Sequence, residues 1–280
     1  MLLLKRIALA LGAFVVLAVL IVYGASQLMI RTTHDAELEQ IAIPKDAASI
    51  AEGGRLAFVF GCRGCHNASA QGSVWKDPPW FIATVAPPGI ARKIADYSDA
   101  EVLRLIRHGI KKDGTSLMVM PTVSHRFISD DDAAKVIAWL RTLQPTDKDV
   151  TQPMRYGPLG RFGLLTGQFQ PSYQGGKVAE AHRPTNLGRY YYDTVCSECH
   201  NINSTKLAPD GGATTPALAE MAGAYSPEAF RKLMRTGVGM SGRDLGLMKQ
   251  VATENLFKLT DEEIVALQTW LKSDEAAKAK

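Results

Sequence analysis

Cysteine is scarce in this 280-residue chain: there are four, too few for the disulfide framework on which small secreted domains rely. Neither sign of charge is in excess. Lys plus Arg number 32 against 28 Asp plus Glu, a net +4 that gives no electrostatic ground for nucleic-acid binding. Aromatic residues are 8% of the chain, and no segment alternates apolar and polar residues for long enough to predict a strand-built domain. A single apolar run reaches membrane-spanning length, which excludes a polytopic membrane protein. Hydrophobic residues are not wanting. At 46% they exclude a disordered tail, and the length suffices for one large domain or two of about 100 residues each.

The apolar run lies at the amino terminus. After Lys5 and Arg6 the chain is uncharged from Ile7 to Ile30, enough for a helix to cross a hydrocarbon core of about 30 Å. Positive charge on the short amino-terminal side predicts that this end stays in the cytoplasm and the rest is exported. The expectation is an uncleaved transmembrane anchor over 1–31. The rival is a cleaved signal peptide, but the run exceeds an h-region of about 7–15 residues, and Gly24-Ala25-Ser26 is only a passable cleavage site. Both readings put residues 31–280 on the periplasmic, exported side of the cytoplasmic membrane.

The four cysteines fall in two copies of C-x-x-C-H, Cys62–His66 and Cys196–His200, and a wider repeat surrounds them. Tyr97-Ser98 with Leu105-Ile106-Arg107 matches Tyr225-Ser226 with Leu233-Met234-Arg235 at a constant offset of 128. Ser129-Asp130-Asp131-Asp132 leading to Trp139-Leu140 matches Thr260-Asp261-Glu262-Glu263 leading to Trp270-Leu271 at offset 131. The chain therefore divides into the anchor, a first module over 46–145, a linker over 146–183 and a second module over 184–275.

Each module reads as mainly helical. A short helix precedes each C-x-x-C-H, around Gly54-Arg55-Leu56 and Gly188-Arg189-Tyr190. A second runs from Asp99 to Arg107 before Gly109, and from Pro227 to Arg235 before Gly237, with Pro227 suited to a first turn. The last helix of each module opens on a capping box, Ser129 with Asp132 and Thr260 with Glu263. Val136, Ile137, Trp139 and Leu140 cover one face of it, as do Ile264, Leu267, Trp270 and Leu271. The stretch between C-x-x-C-H and the next helix has little helical area to bury, so a cofactor is expected to supply the missing core. The linker carries five prolines and six glycines between Gln144 and Leu187, yet Phe162, Leu164, Leu165 and Phe169 need cover, from a module or from a partner subunit.

C-x-x-C-H is the attachment signature of a covalent haem c: two thiols add to the vinyl groups, and the adjacent histidine is brought to the iron. A zinc site needs four ligands from spaced pairs, and each module has only one pair. A thioredoxin-like pair does not call for the trailing histidine. The expected sites are Cys62 and Cys65 with His66, and Cys196 and Cys199 with His200, for two haems in all. For the sixth ligand the first module offers Met118 and Met120, the second Met234, Met240 and Met248. The offset of 128 pairs Met120 with Met248, so these two are nominated as soft thioether ligands on the loop before the last helix. Met118, Met221 and Met234 are expected to fill core space. The carbonyls of Pro88 and Pro216, which align at the same offset, are candidate acceptors for the second histidine nitrogen. His34, His108, His125 and His182 lack repeat partners and read as surface residues. Tyr190-Tyr191-Tyr192 reads as core, and Arg92 with Lys93 as a solvated loop.

On Cys62/Cys65/His66 with Met120-Pro121, and Cys196/Cys199/His200 with Met248, the chain resembles the class I cytochrome c family, in particular membrane-anchored dihaem cytochromes. The resemblance covers the two modules and omits anchor and linker. It implies an all-α fold with three main helices around each haem, His/Met coordination, and electron carriage between a membrane or periplasmic donor and a respiratory acceptor. Redox partner proteins, or a membrane respiratory complex, are the implied partners. The second module departs from the Met-Pro pattern, with Met248-Lys249 and a longer stretch before its last helix. A dihaem redox enzyme of the peroxidase or sulfur-compound dehydrogenase type is the alternative, and it would require a module without its distal methionine or with a catalytic residue nearby. Neither feature is found in the alignment of the two modules. A dihaem subunit of a haem–copper oxidase shares the same plan.

Overall fold

The structure is a computed structural model and describes residues 1–173, 175, 181–208, 214–242 and 244–279. Helix α1 (Leu2–Arg31) is long and apolar enough to cross a membrane and projects away from the rest of the chain, with Ser26 its one buried residue. The first module contains α2 (Ala47–Val59), α3 (Cys62–Cys65), a two-residue strand β1 (Ala83–Thr84), α4 (Ile90–Lys93), α5 (Asp99–His108), α6 (Thr122–His125) and α7 (Asp130–Leu140). The inter-module stretch contributes β2 (Arg155–Tyr156) and α8 (Pro158–Leu165). The second module contains α9 (Leu187–Tyr191), which widens into a helical turn over Tyr192–Cys196, then β3 (Lys206–Leu207), β4 (Thr214–Thr215), α10 (Leu218–Ala224), α11 (Pro227–Thr236), α12 (Leu247–Glu254), a short turn Leu256–Lys258, α13 (Asp261–Leu271) and α14 (Asp274–Lys278). The architecture is mainly helical, as the sequence predicts. The paired two-residue strands, β1 with β2 and β3 with β4, only pin loops.

In each module the first and last helices cross at a glycine. A Cβ on Gly53 would lie 1.9 Å from the Lys135 carbonyl oxygen, and one on Gly188 only 2.3 Å from the Trp270 Cβ. The helices approach this closely because no side chain stands between them. Gly53→Ala is therefore expected to force α2 off α7 and cost about 1–3 kcal/mol, the usual penalty for an overpacked core. Chemical denaturation measures it, and an unchanged midpoint would contradict this account of the crossing.

The repeated arginine acts alike in both modules. Arg107 on α5 donates to the Ile128 carbonyl at 2.7 Å and to Asp130, and Arg235 on α11 donates to the Leu259 carbonyl and to Asp261 at 2.9 Å. Each clamps the middle helix to the start of the last one. Arg107 also binds Glu39 at 2.6 Å, tying the segment after α1 to the first module.

The capping boxes differ. Thr260 and Glu263 form the full reciprocal pair, whereas Ser129 accepts from the Asp132 N–H without a return bond. The Asp132 carboxylate is instead taken by the end of the linker and the second module. Arg183 donates to both of its oxygens, at 2.8 and 2.6 Å, and the Tyr190 hydroxyl donates at 2.7 Å. Glu263, at the equivalent place, receives Arg55 of the first module at 2.9 and 2.8 Å, together with the Tyr191 hydroxyl. One continuous apolar cluster runs through both modules, with Leu56, Phe60 and Ile137 on one side and Tyr191, Leu267 and Leu271 on the other. The two modules thus pack as one body.

The inter-module stretch is not a free tether. Its start straps the first module, with Val150 N–H donating to the Gln71 carbonyl, Gly89 N–H donating to the Val150 carbonyl, and Arg92 donating to the Thr146 carbonyl at 2.6 Å. Arg92 and Lys93 are exposed, as expected, but they lie on α4 and not in a loop, and Arg92 also holds the linker. Residues 174 and 176–180 of this stretch lie outside the described residues.

Two pseudo-symmetric candidate haem sites

Each C-x-x-C-H begins where the module's first helix ends. In the first module Gly61, in the left-handed region at φ 80°, lets the chain turn from α2 directly into α3. His66 follows as the cap of that turn, and His200 is held likewise, its N–H donating to the Cys196 carbonyl. The second ring nitrogen of each histidine is then occupied. Nδ1 of His66 lies 2.8 Å from the Pro88 carbonyl oxygen, and Nδ1 of His200 lies 3.3 Å from that of Pro216. A carbonyl can only accept, so Nδ1 carries the hydrogen and Nε2 keeps the lone pair, the tautomer a metal ligand requires. Burial pushes both imidazoles below their ordinary pKa, which favours the same neutral form.

The cysteines are not joined as disulfides. Burial pushes the thiols of Cys62 and Cys196 up to about 12, so these are protonated, apolar-facing groups and not metal-ready thiolates. Among the described residues no cluster of three His, Cys, Asp or Glu side chains could hold an ion by itself. One neutral imidazole beside two unpaired thiols suits a group that would arrive with most of its metal ligands already in place and would need from the protein a histidine ligand and covalent anchors. Met120 and Met248 are both half-buried against the shared core, as are Cys62 and Cys196. The residues present fit a haem c.

The methionines differ in setting. Met120 lies on an irregular loop immediately before Pro121 and α6, whereas Met248 does not lie on a loop. It sits in the first turn of α12, because the second module's longer stretch before its last helix folds into an added helix. Met118 and Met234 are buried as core filling.

The attachment segments also form the centre of the inter-module contact. A Cβ on Gly64 would lie 2.4 Å from Asn255 Oδ1, placing the first C-x-x-C-H against the turn before α13. Glu198, the equivalent residue of the second motif, is half-buried and faces the backbone of Ser124 in α6. Gly64 with Glu198 and Ser124 with Asn255 are repeat partners, at offsets of 134 and 131. The same two surfaces therefore meet twice, as in an isologous dimer interface. Burial raises the Glu198 carboxyl above its ordinary range.

His125 is not a surface residue. It is 2% exposed, with Nε2 2.8 Å from the Phe60 carbonyl oxygen and a buried Nδ1 that has no partner. It holds the end of α2, one residue before the turn into C-x-x-C-H. Its repeat position in the second module is Leu256, also buried, so the site accepts an apolar side chain. Of the other unmatched histidines, His34 is half-buried against the Tyr173 ring and His108 is half-buried on α5, which leaves His182 exposed. Tyr190, Tyr191 and Tyr192 are buried as expected.

Burial pushes His125 down to about 4. It is neutral in the folded chain while the unfolded chain takes up a proton near pH 6.5. Stability is therefore lost as pH falls from about 6.5 towards 4, by about 2 kcal/mol between pH 7 and pH 5. His125→Leu is expected to remove that part of the acid slope. Denaturant unfolding at the two pH values reads it, and an equal slope in the variant would contradict the burial argument.

Two family profiles match the chain. Residues 48–140 match "Cytochrome C oxidase, cbb3-type, subunit III" and residues 186–274 match "Cytochrome c". Among curated proteins, the chain is 26% identical over 254 residues to the fructose dehydrogenase cytochrome subunit of Gluconobacter japonicus, covering 80% of this chain and 52% of that one. It is 25% identical to the gluconate 2-dehydrogenase cytochrome c subunit of Pantoea cypripedii, over 81% of this chain and 59% of the other. A "diheme cytochrome c-type" protein of Cereibacter sphaeroides is 24% identical over 91% of this chain and 95% of its own length. The chain thus spans little more than half the length of the two dehydrogenase subunits.

Proposed function

We propose that this chain, which carries two cytochrome c domains and two covalent haems c behind an N-terminal apolar helix, is the membrane-held electron carrier of a periplasmic dehydrogenase system. The observation that carries the reading is the duplicated arrangement at the inter-module contact: two C-x-x-C-H segments, each with its histidine fixed by a proline carbonyl, in one packed body. Cys62 and Cys65, and Cys196 and Cys199, are the thioether anchors. His66 and His200 are the proximal ligands, and Met120 and Met248 the distal ones. The cytochrome domains run over 46–145 and 184–275, joined by 146–183.

The haems supply one-electron redox chemistry. The chain's contribution is orientation and exclusion of water. Pro88 and Pro216 fix the histidine tautomers, the arginine clamps Arg107 and Arg235 hold the loops, and the buried carboxylates Asp132 and Glu263 lock one module on the other. Relatives named as cytochrome subunits of fructose, gluconate and alcohol dehydrogenases support a sugar, sugar-acid or alcohol dehydrogenase as the electron source. Helix α1, with Lys5 and Arg6 on its short side, supports a single pass with both domains on the periplasmic face. A tether keeps the carrier near its partners.

The match of the first module to an oxidase subunit profile favours a second reading, a dihaem subunit delivering electrons to a haem–copper oxidase. Membranes with and without the chain separate the two. Fructose, gluconate or ethanol is expected to reduce its haems within the membrane only when the cognate dehydrogenase is present. Reduction that survives loss of every such dehydrogenase, together with copurification with an oxidase, would overturn the first reading in favour of the second.

A further inference from the structure

The outer face of α8 and the loop beside it are more apolar than an aqueous surface needs. Leu159 and Phe162 are 56% and 55% exposed, and Trp80 is 76% exposed, while Leu164 on the inner face of α8 is buried. These residues form one rigid unit. The Leu159 N–H donates to the Phe81 carbonyl and the Gly157 N–H to the Ile82 carbonyl, each at 2.9 Å. The β1–β2 pairing, Ala83 with Tyr156, continues the same seam. Gly160 leaves room for the Ile82 carbonyl oxygen, which would lie 2.0 Å from any Cβ there.

This unit is fastened to α1 at one level. Arg161 donates from Nη1 to Ser26 Oγ at 2.9 Å and from Nη2 to Gln27 Oε1 at 3.2 Å, and its guanidinium stands 4.7 Å from the Tyr23 ring centroid. Counting from Ile7 at about 1.5 Å per residue, Tyr23–Gln27 lies about 24–30 Å along the helix, the far boundary of a hydrocarbon core of about 30 Å. That boundary is where tryptophan and tyrosine rings settle, with one side apolar and the other wet.

We propose that Trp80–Ile82 and the outer face of α8 form a second membrane contact, seated in the headgroup–acyl boundary of the leaflet from which α1 emerges. A contiguous apolar patch of this kind marks either a membrane or a protein partner. Lipid is favoured on two grounds. The patch is continuous with α1, whose own surroundings are lipid, and its charge suits an anionic bilayer. From Pro78 to Pro88 there is no charged residue, and from Arg155 to Tyr173 the charged residues are Arg155 and Arg161, both basic. A helix alone would leave the haem modules free to rotate above the membrane. The second contact fixes which face of the two-module body meets a partner in the same membrane.

The inference rests on α1 being retained as a membrane span, and the test separates the two. Trp80→Cys, Phe162→Cys and, as a control on the exposed face of α13, Val265→Cys each introduce a single free thiol, since the proposed thioethers consume the other four. The full-length holoprotein, checked for unaltered haem absorption, is spin-labelled and placed in nanodiscs of phosphatidylcholine and phosphatidylglycerol. Collision with oxygen is then compared with collision with a water-soluble nickel chelate. Labels at 80 and 162 are expected to favour oxygen several-fold relative to the label at 265. Labels at 80 and 162 that match 265, on a chain that stays with the discs, would overturn the second contact alone. Labels that stay aqueous until a dehydrogenase is added would overturn it in favour of a protein-docking surface. A chain that elutes free of the discs would overturn the anchor reading, and the inference with it.

Discussion

With Cys62 and Cys65 both replaced by alanine, the purified full-length chain is expected to carry one haem in place of two. The reduced-minus-oxidised absorbance per chain should fall by half, and the intact mass by one haem. The first site has no other way to keep the group covalently. Its cysteines are not joined to each other, and no third thiol exists in the module. Loss of the group should also loosen the body beyond its own module, because Gly64 packs on Asn255 before α13 and Phe58 on Phe257. The mirror change, Cys196→Ala with Cys199→Ala, is expected to release the contact of Glu198 with the turn at Ser124. Two covalent haems in either double variant would contradict the attachment assignment.

Met120→Ala and Met248→Ala are each expected to abolish about half of the methionine–iron absorption band and to lower the potential of the affected haem. A thioether is a soft ligand that favours ferrous iron, and water or no ligand in its place does not. Met118→Leu is the internal control. Met118 is buried in the first module's core and exchanges with leucine at nearly constant volume, so the band should persist. A full-strength band in Met120→Ala, with loss in Met118→Leu, would move the assignment by two residues. The second site is the sharper test, since Met248 opens α12 and its position depends on that helix holding its place.

Much of this was legible in the residues. The C-x-x-C-H pairs, the constant offsets and the Thr260/Glu263 cap predict two like helical modules, and the offset of 128 points to the Pro88 and Pro216 carbonyls that fix the histidines. His125 was not legible as a lone histidine, because its burial comes from the turn of α6 towards the Phe60 carbonyl. Its alignment with the apolar Leu256 at offset 131 was the available signal. Asp132 reads as half of a capping box, but Arg183 at the end of the linker and Tyr190 in the second module reach it, a long-range competition no local pattern records. The helix at 158–165 is hidden by three glycines, counting Gly157 at its cap, and by its shortness. Its docking on α1 depends on Arg161, whose role appears only when Ser26 and Gln27 are beside it. Repeat offsets show that two surfaces are alike and say nothing about which surfaces meet. The pseudo-two-fold contact through Gly64, Asn255, Glu198 and Ser124 emerged only from the fold.

Electron carriage, as opposed to chemistry at an open iron, is tested most directly by a coulometric titration of the full-length ferric protein, with spin state followed by absorption and electron paramagnetic resonance. The expected result is two electrons per chain, both haems low-spin throughout, and no spectral response to peroxide. A high-spin haem in the ferric protein that is consumed by peroxide would contradict it.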